Sequence, residues 1–150
     1  MALTKVNRGG LNTGISDSSN ATFLTVDSSE QAVIKSEGGA VTTSVQQGLA
    51  KVWVTFNGSA SGATVRDSFN VASTDDDGTG LYGVNFSSAM SNANYSSVCN
   101  RGTLTGGETT GGANANRMTA GSIDKIQVYN DDGSLADRDN ITAHVLGDLA

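Results

Sequence analysis

The chain has 150 residues, of which 15 are Asp or Glu and 9 are Lys or Arg, so its formal charge is −6 and its pI is about 4.4. This acidic balance disfavours binding to phosphate backbones or anionic lipid, and we expect no nucleic-acid partner. Because no apolar stretch approaches the roughly 20 residues of a membrane-spanning helix, we also expect a soluble protein without membrane insertion.

The composition of the chain changes near residue 20. Before that point glycine and polar residues predominate, and the apolar side chains are few and widely spaced. Such a segment cannot form a core of its own, so we interpret residues 1–20 as an extended attachment arm and residues 21–150 as one β-sandwich domain. The candidate interface residues of the arm are Leu3, Val6, Leu11 and Ile15.

From residue 21 onward, short runs rich in Val, Thr, Phe and Tyr alternate with turns rich in Gly, Asn and Asp. The predicted strands cover residues 22–26, 31–35, 49–56, 65–71, 81–86, 95–105, 123–129 and 141–146. In the predicted strand at residues 49–56, Val52, Val54 and Phe56 share one face while Trp53 lies on the other. This pattern predicts an all-β fold, an antiparallel β-sandwich of jelly-roll-like type with an extended N-terminal arm.

Trp53 is a further candidate interface residue. Few aromatic side chains are available to cover the outward face of its strand, so a subunit interface would remove it from water. A second sheet of the same chain packed over that face would do the same. Both explanations fit the sequence.

Two polar segments interrupt the strand pattern. Residues 75–80 are predicted to be a turn, because Asp and Gly favour tight hairpins. A second turn is predicted at Asn57-Gly58. The strands joined by these two turns would form two consecutive hairpins, which make a meander. A calcium site at Asp75, Asp76 and Asp77 is disfavoured, since consecutive acids lack the ligand spacing of an EF-hand loop. Residues 106–116 are so rich in glycine and polar residues that we predict a long loop.

The chain lacks the residue patterns of known active sites. Its one histidine, His144, lies in the last predicted strand. The sequence contains no nucleophilic-serine elbow and no phosphate-binding loop. We therefore expect His144 to be structural or to face solvent. Its one cysteine, Cys99, is predicted to be a buried and inert thiol. We therefore predict no enzymatic activity, no catalytic or metal-binding residues and no cofactor.

Four segments between residues 48 and 98 carry a resemblance to a known family. They read Gly-Leu-Ala-Lys-Val-Trp-Val-Thr-Phe-Asn-Gly, Val-Arg-Asp-Ser-Phe-Asn-Val, Asp-Gly-Thr-Gly-Leu-Tyr-Gly-Val-Asn-Phe and Met-Ser-Asn-Ala-Asn-Tyr-Ser-Ser-Val. Together with residues 126–129 and 139–147, they resemble a domain of tail-fibre-like structural proteins of tailed bacteriophages. The resemblance covers residues 45–150.

The resemblance implies a β-sandwich that works as a homotrimer and, in some family members, touches the host surface. We therefore predict a bacteriophage virion protein, made in the host cytoplasm. It would be a short tail fibre attached by its arm to other virion proteins, with a host-surface glycan or protein as a further partner. A capsid decoration (cement) or head-fibre protein is one alternative. A carbohydrate-binding module is another, and it would need exposed aromatic platforms, for which the sequence offers Trp53 and Tyr129.

Overall fold

In the computed structural model, the described residues are 24–26, 28, 32–35, 42–60, 62–104, 106 and 111–150. They form eleven strands and one helical turn. In chain order these are β1 (Leu24–Val26), β2 (Ala32–Lys35), β3 (Thr42–Ser44), α1 (Val45–Gly48), β4 (Ala50–Asn57), β5 (Thr64–Phe69), β6 (Val71–Gly78), β7 (Leu81–Phe86), β8 (Ser96–Gly102), β9 (Gly112–Thr119), β10 (Ser122–Tyr129) and β11 (Asn140–Leu146).

Eight of these strands form two four-stranded antiparallel sheets that enclose one hydrophobic core. The strand orders are β6-β7-β10-β9 and β5-β4-β11-β8, so β7, β10, β4 and β11 are the central strands. The predicted antiparallel β-sandwich is therefore confirmed.

The first three strands form a separate sheet in the order β1-β2-β3. β1 and β2 lie within the predicted strands at residues 22–26 and 31–35, whereas β3 was not predicted. The predicted arm at residues 1–20 lies outside the described residues. The domain boundary after residue 20 thus stays a prediction.

The core forms between the two larger sheets from the inward-facing side chains of the central strands. These are Val52, Val54 and Phe56 on β4, Tyr82, Val84 and Phe86 on β7, Ile123, Ile126 and Val128 on β10, and Ile141, Ala143 and Val145 on β11. Phe56 of one sheet meets Tyr82 of the other edge to face, with ring centroids 5.3 Å apart. The alternation seen in the sequence of these strands is thus the alternation between core and exterior.

The Tyr82 hydroxyl connects the core to the segment before β11. It donates a hydrogen bond to Asp137 Oδ1 at 2.8 Å, and the same carboxylate oxygen accepts the Gly80 N–H at 2.7 Å. Burial and the bond to Asp137 raise the pKa of Tyr82, so the hydroxyl stays protonated at neutral pH. A side chain at Gly58 would collide with the Tyr82 ring, which makes this glycine a packing requirement as well as a turn residue.

The predicted meander is wrong, because the β4–β5 hairpin and the β6–β7 hairpin lie in different sheets. The chain passes from one sheet to the other at Asn70, which has a φ of 58°. The Asn70 side chain donates to the carbonyl oxygens of Lys51 and Ser88, each at 3.1 Å, and so fixes the corner. Asparagine enters the left-handed region at low cost, which explains why the predicted strand at residues 65–71 divides here.

The predicted turn at residues 75–80 is placed too early. The three aspartates lie in β6, which pairs with β7 up to Gly78, and only Thr79 and Gly80 turn between the strands. β6 is an edge strand whose aspartates are exposed, so their charges keep contact with water.

The prediction of a loop over residues 106–116 is wrong in its second half. β9 begins at Gly112 and pairs with β10 from Gly112 opposite Tyr129 to Thr119 opposite Ser122. Ala113 and Ala115 pack partly buried against the core, whereas the asparagines beside them are exposed. Alternation is therefore present, but alanine is too small to make it conspicuous in the sequence.

Candidate interface

The outer face of the β5-β4-β11-β8 sheet carries a cross-strand row with one residue from each strand. Phe69 lies opposite Trp53, and Trp53 lies opposite His144. His144 in turn lies opposite Val98. Opposite residues of antiparallel strands point to the same side, so these four side chains form one row, about 14 Å long at the usual strand spacing. We call it the outer row.

The outer row is open to solvent. Val98 is 64% exposed and Phe69 is 53% exposed, while Trp53 is half-buried. Leu146, which lies two residues after His144 and on the same face, is a further exposed apolar side chain. Trp53 and Phe69 are adjacent, and His144 separates them from Val98. Exposed apolar patches are typical of surfaces that bind other molecules.

A polar row borders the outer row on the same face. It consists of Asp67, Thr55, Thr142 and Asn100, which are paired across the four strands in the same way. An apolar centre with a polar border is the usual anatomy of a protein interface.

The outer face of the other large sheet is different, because its polar groups bond to one another. Asn85 Nδ2 donates to Asp75 Oδ2 at 2.7 Å and to Ser73 Oγ at 2.9 Å. Asn116 Nδ2 donates to Gln127 Oε1 at 3.0 Å. Such a face suits contact with water, and the contrast singles out the outer row as the candidate interface.

The structure places Trp53 where the sequence predicted, on the face of β4 that points away from the core. The second large sheet packs against the opposite face of β4, beside Val54, and therefore does not cover Trp53. Phe69 lies exposed beside Trp53. Val98 was not predicted. The remaining predicted interface residues lie outside the described residues, namely Leu3, Val6, Leu11 and Ile15.

The residues considered for chemistry occupy ordinary structural positions. His144 is exposed, as predicted. Cys99 is partly buried against the core, and burial raises the pKa of its thiol to about 11, so the thiol stays protonated at neutral pH. Asp132 caps a turn by accepting the Ser134 N–H at 2.9 Å. Within the described ranges, no three His, Cys, Asp or Glu side chains are grouped so that they could hold a metal ion.

Comparison with known proteins finds no family model, no curated protein and no solved structure that matches this chain. Among the helices of the described part, none is long and apolar enough to cross a membrane.

Proposed function

We propose that this chain is a structural protein of a bacteriophage virion that assembles as a homotrimer through its outer row. The observation that carries the assembly is the row itself, because Phe69 and Val98 expose apolar surface beside the half-buried Trp53. Contact with a second copy would remove this surface from water. The virion assignment rests on the sequence resemblance of residues 45–150 alone.

The strength of such an assembly follows from the size of the row. Full burial of each large apolar side chain contributes about 1.5–3 kcal/mol, whereas association costs about 4–15 kcal/mol in lost translational and rotational freedom. The outer row by itself therefore supports a weak contact. We propose that the arm at residues 1–20 adds contacts through its four apolar residues and attaches the protein to the particle, as a short tail fibre or as a capsid decoration protein.

Sedimentation velocity at micromolar concentration tests the assembly. We expect the unaltered chain to sediment as a trimer and the double variant Trp53→Ser/Phe69→Ser to sediment as a monomer with an unchanged circular dichroism spectrum. Met118→Ser is the matched control, because Met118 is also a partly exposed apolar residue but lies on β9, in the other sheet. A stable monomer for the unaltered chain would refute assembly through the outer row.

The virion assignment needs a separate experiment. Mass spectrometry of purified phage particles is expected to detect this chain, and deletion of residues 2–20 is expected to remove it from the particles while the sandwich still folds. Incorporation of the shortened chain at normal levels would show that residues 1–20 are not the anchor.

One observation favours carbohydrate binding as a second candidate function. Trp53 and Phe69 are neighbours on an exposed sheet face, and such aromatic side chains offer flat apolar surfaces to sugar rings. Titration calorimetry against bacterial surface polysaccharide distinguishes the two functions. A monomeric chain that binds the polysaccharide, and loses this binding with Phe69→Ser, would favour the carbohydrate-binding module over the assembly protein.

A further inference from the structure

The outer row contains one ionisable side chain, and it lies between apolar neighbours. His144 has Trp53 opposite it on β4 and Val98 opposite it on β8. Phe69, beyond Trp53, and Leu146, two residues further along β11, are also apolar and exposed. His144 is exposed and is the one histidine of the chain. In a separate chain its imidazole therefore reaches water, although its cross-strand neighbours are apolar.

The positions next to His144 in its own sheet carry no carboxylate. They are residues 51–55 on β4 and residues 96–100 on β8, and the structure describes both stretches in full. A carboxylate beside a histidine would stabilise its charged form. His144 has no such neighbour within its sheet, so no side chain there offsets the cost of burying its positive charge.

The charged side chains further away are not placed to pair with His144 either. Asp67, in the polar row, is two strands and one row distant, about 12 Å at the usual strand spacing. Lys51 is itself positive, and its Nζ donates to a backbone carbonyl oxygen at 2.8 Å. Arg66 donates to a backbone carbonyl oxygen just before β11, and Asp148 follows the other end of β11. Among the described residues, none forms an ion pair with His144.

Burial of the outer row against another copy would affect the two forms of His144 unequally. A neutral imidazole packs against apolar and aromatic side chains at low cost, whereas an imidazolium ion loses its hydration there. Histidine is the side chain that ordinarily changes its charge between pH 5 and 8. Association through the outer row is then coupled to the loss of a proton from His144. In a trimer the coupling applies three times, once for each copy.

We propose that His144 makes assembly through the outer row dependent on pH, so that the trimer forms at neutral pH and dissociates at acidic pH. This inference rests on the proposed assembly and names the residue that regulates it. The interface accepts the neutral imidazole, so the association is complete well above pH 6.5, where histidine ordinarily titrates, and is lost as the pH falls below about 6.5.

The expected direction is opposite to the effect of the net charge. The chain has a formal charge of −6 at neutral pH, so acidification reduces the repulsion between copies and by itself favours association. Weaker association at acidic pH therefore requires a particular group that becomes charged there and is buried at the contact. His144 is the residue of the outer row with that property.

Sedimentation of the full chain over a concentration series at three pH values, about 7.5, 6.5 and 5.5, and at constant ionic strength tests the dependence. If the interface excludes the charged form, the association constant falls about tenfold per subunit from the highest to the lowest pH, or roughly a thousandfold for a trimer. Circular dichroism at each pH checks that the sandwich stays folded. A trimer that is equally stable at all three pH values overturns this inference and leaves the assembly standing, whereas a monomer at every pH refutes the assembly and this inference with it.

Two variants assign the response to His144, each compared with itself across the pH range. In His144→Gln the association constant at the lowest pH should equal or exceed its value at the highest, because no group of the outer row gains a charge. The double variant His144→Gln/Asn114→His is the matched control, since it restores one histidine at an exposed position of β9, in the other sheet. It should respond as His144→Gln does. A weakening at acidic pH that persists in either variant overturns the proposal, because another group would then cause it.

Discussion

The central strands and the edge strands of this sandwich are specified in different ways. β4 and β11 alternate core-facing apolar residues with outward-facing residues that are mostly polar, Trp53 and Leu146 being the outward-facing apolar ones. β6 and β9 are edge strands with three aspartates and two asparagines on exposed positions, and backbone pairing with β7 and β10 holds them in place. Hydrophobic alternation in a sequence therefore indicates burial, whereas backbone pairing can form a strand from almost any sequence.

The charged residues of the edge strand β6 also protect an exposed sheet edge. An exposed strand edge is a template for pairing with other chains, and charged side chains reduce that risk. The three aspartates of β6 place negative charge along one such edge. The negative charge of β6 therefore opposes uncontrolled association through this edge.

The largest expected effect is the loss of stability on truncating a core residue, compared with truncating a residue of an edge strand. Ile126 is fully buried on the central strand β10, so Ile126→Ala should lower the free energy of unfolding by about 2–5 kcal/mol through lost burial and the cavity left behind. Met118→Ala on the neighbouring edge strand β9 should lower it by under about 1 kcal/mol, because Met118 is 37% exposed. Urea unfolding of both variants measures the difference. Equal losses would contradict the distinction between central and edge strands.

A second prediction concerns the alternation hidden in β9. Ala115→Asp should lower the free energy of unfolding by about 1–3 kcal/mol, since it places a carboxylate against the core. Asn114→Asp, one residue earlier and on the exposed face, should change it by under about 0.5 kcal/mol. If residues 112–119 were a solvated loop, the two variants would behave alike in urea unfolding.

A third prediction concerns the hydrogen bond by which a central strand holds the segment before β11. Tyr82→Phe should lower the free energy of unfolding by about 1–3 kcal/mol, because Asp137 Oδ1 loses the Tyr82 hydroxyl and keeps only the Gly80 N–H. Tyr129→Phe is the matched control, as Tyr129 lies on β10 but only half-buried. Thermal and urea unfolding should agree on the order of the two variants, and a neutral Tyr82→Phe would mean that this bond contributes little.

The smallest effect is expected from pH. Burial raises the pKa of Cys99 to about 11 from its ordinary value of 9.0, and burial together with the charge of Asp124 raises the pKa of Tyr95 to about 12 from 10.0. Both groups are neutral acids that the folded state prefers to keep protonated. Their contribution is therefore complete below pH 9 and is lost as the pH rises towards 11 and 12.

Urea midpoints measured from pH 7 to 11 test this alkaline loss. In Cys99→Ala the decline between pH 9 and 11 should be shallower than in the unaltered chain, whatever the variant's stability at pH 7. Parallel curves for the two proteins would show that Cys99 does not contribute to the decline.

Of the candidate interface, the sequence located one residue. The alternation of residues along β4 predicted that Trp53 lies outside the core, and this prediction needed only the sequence of that one strand. Phe69 and Val98 reach the same face because β5 and β8 take particular registers against β4 and β11, and a register is fixed by contacts between segments far apart in the chain.

By itself, the sequence determined the all-β class, the central strands and the turn at Asn57-Gly58, because each of these depends on neighbouring residues along one strand or turn. The tertiary structure decided which hairpins share a sheet, where the polar edge strands lie and which side chains meet at the outer row. These features depend on the pairing of distant backbones and on the left-handed corner at Asn70, where one asparagine sends the chain from one sheet to the other.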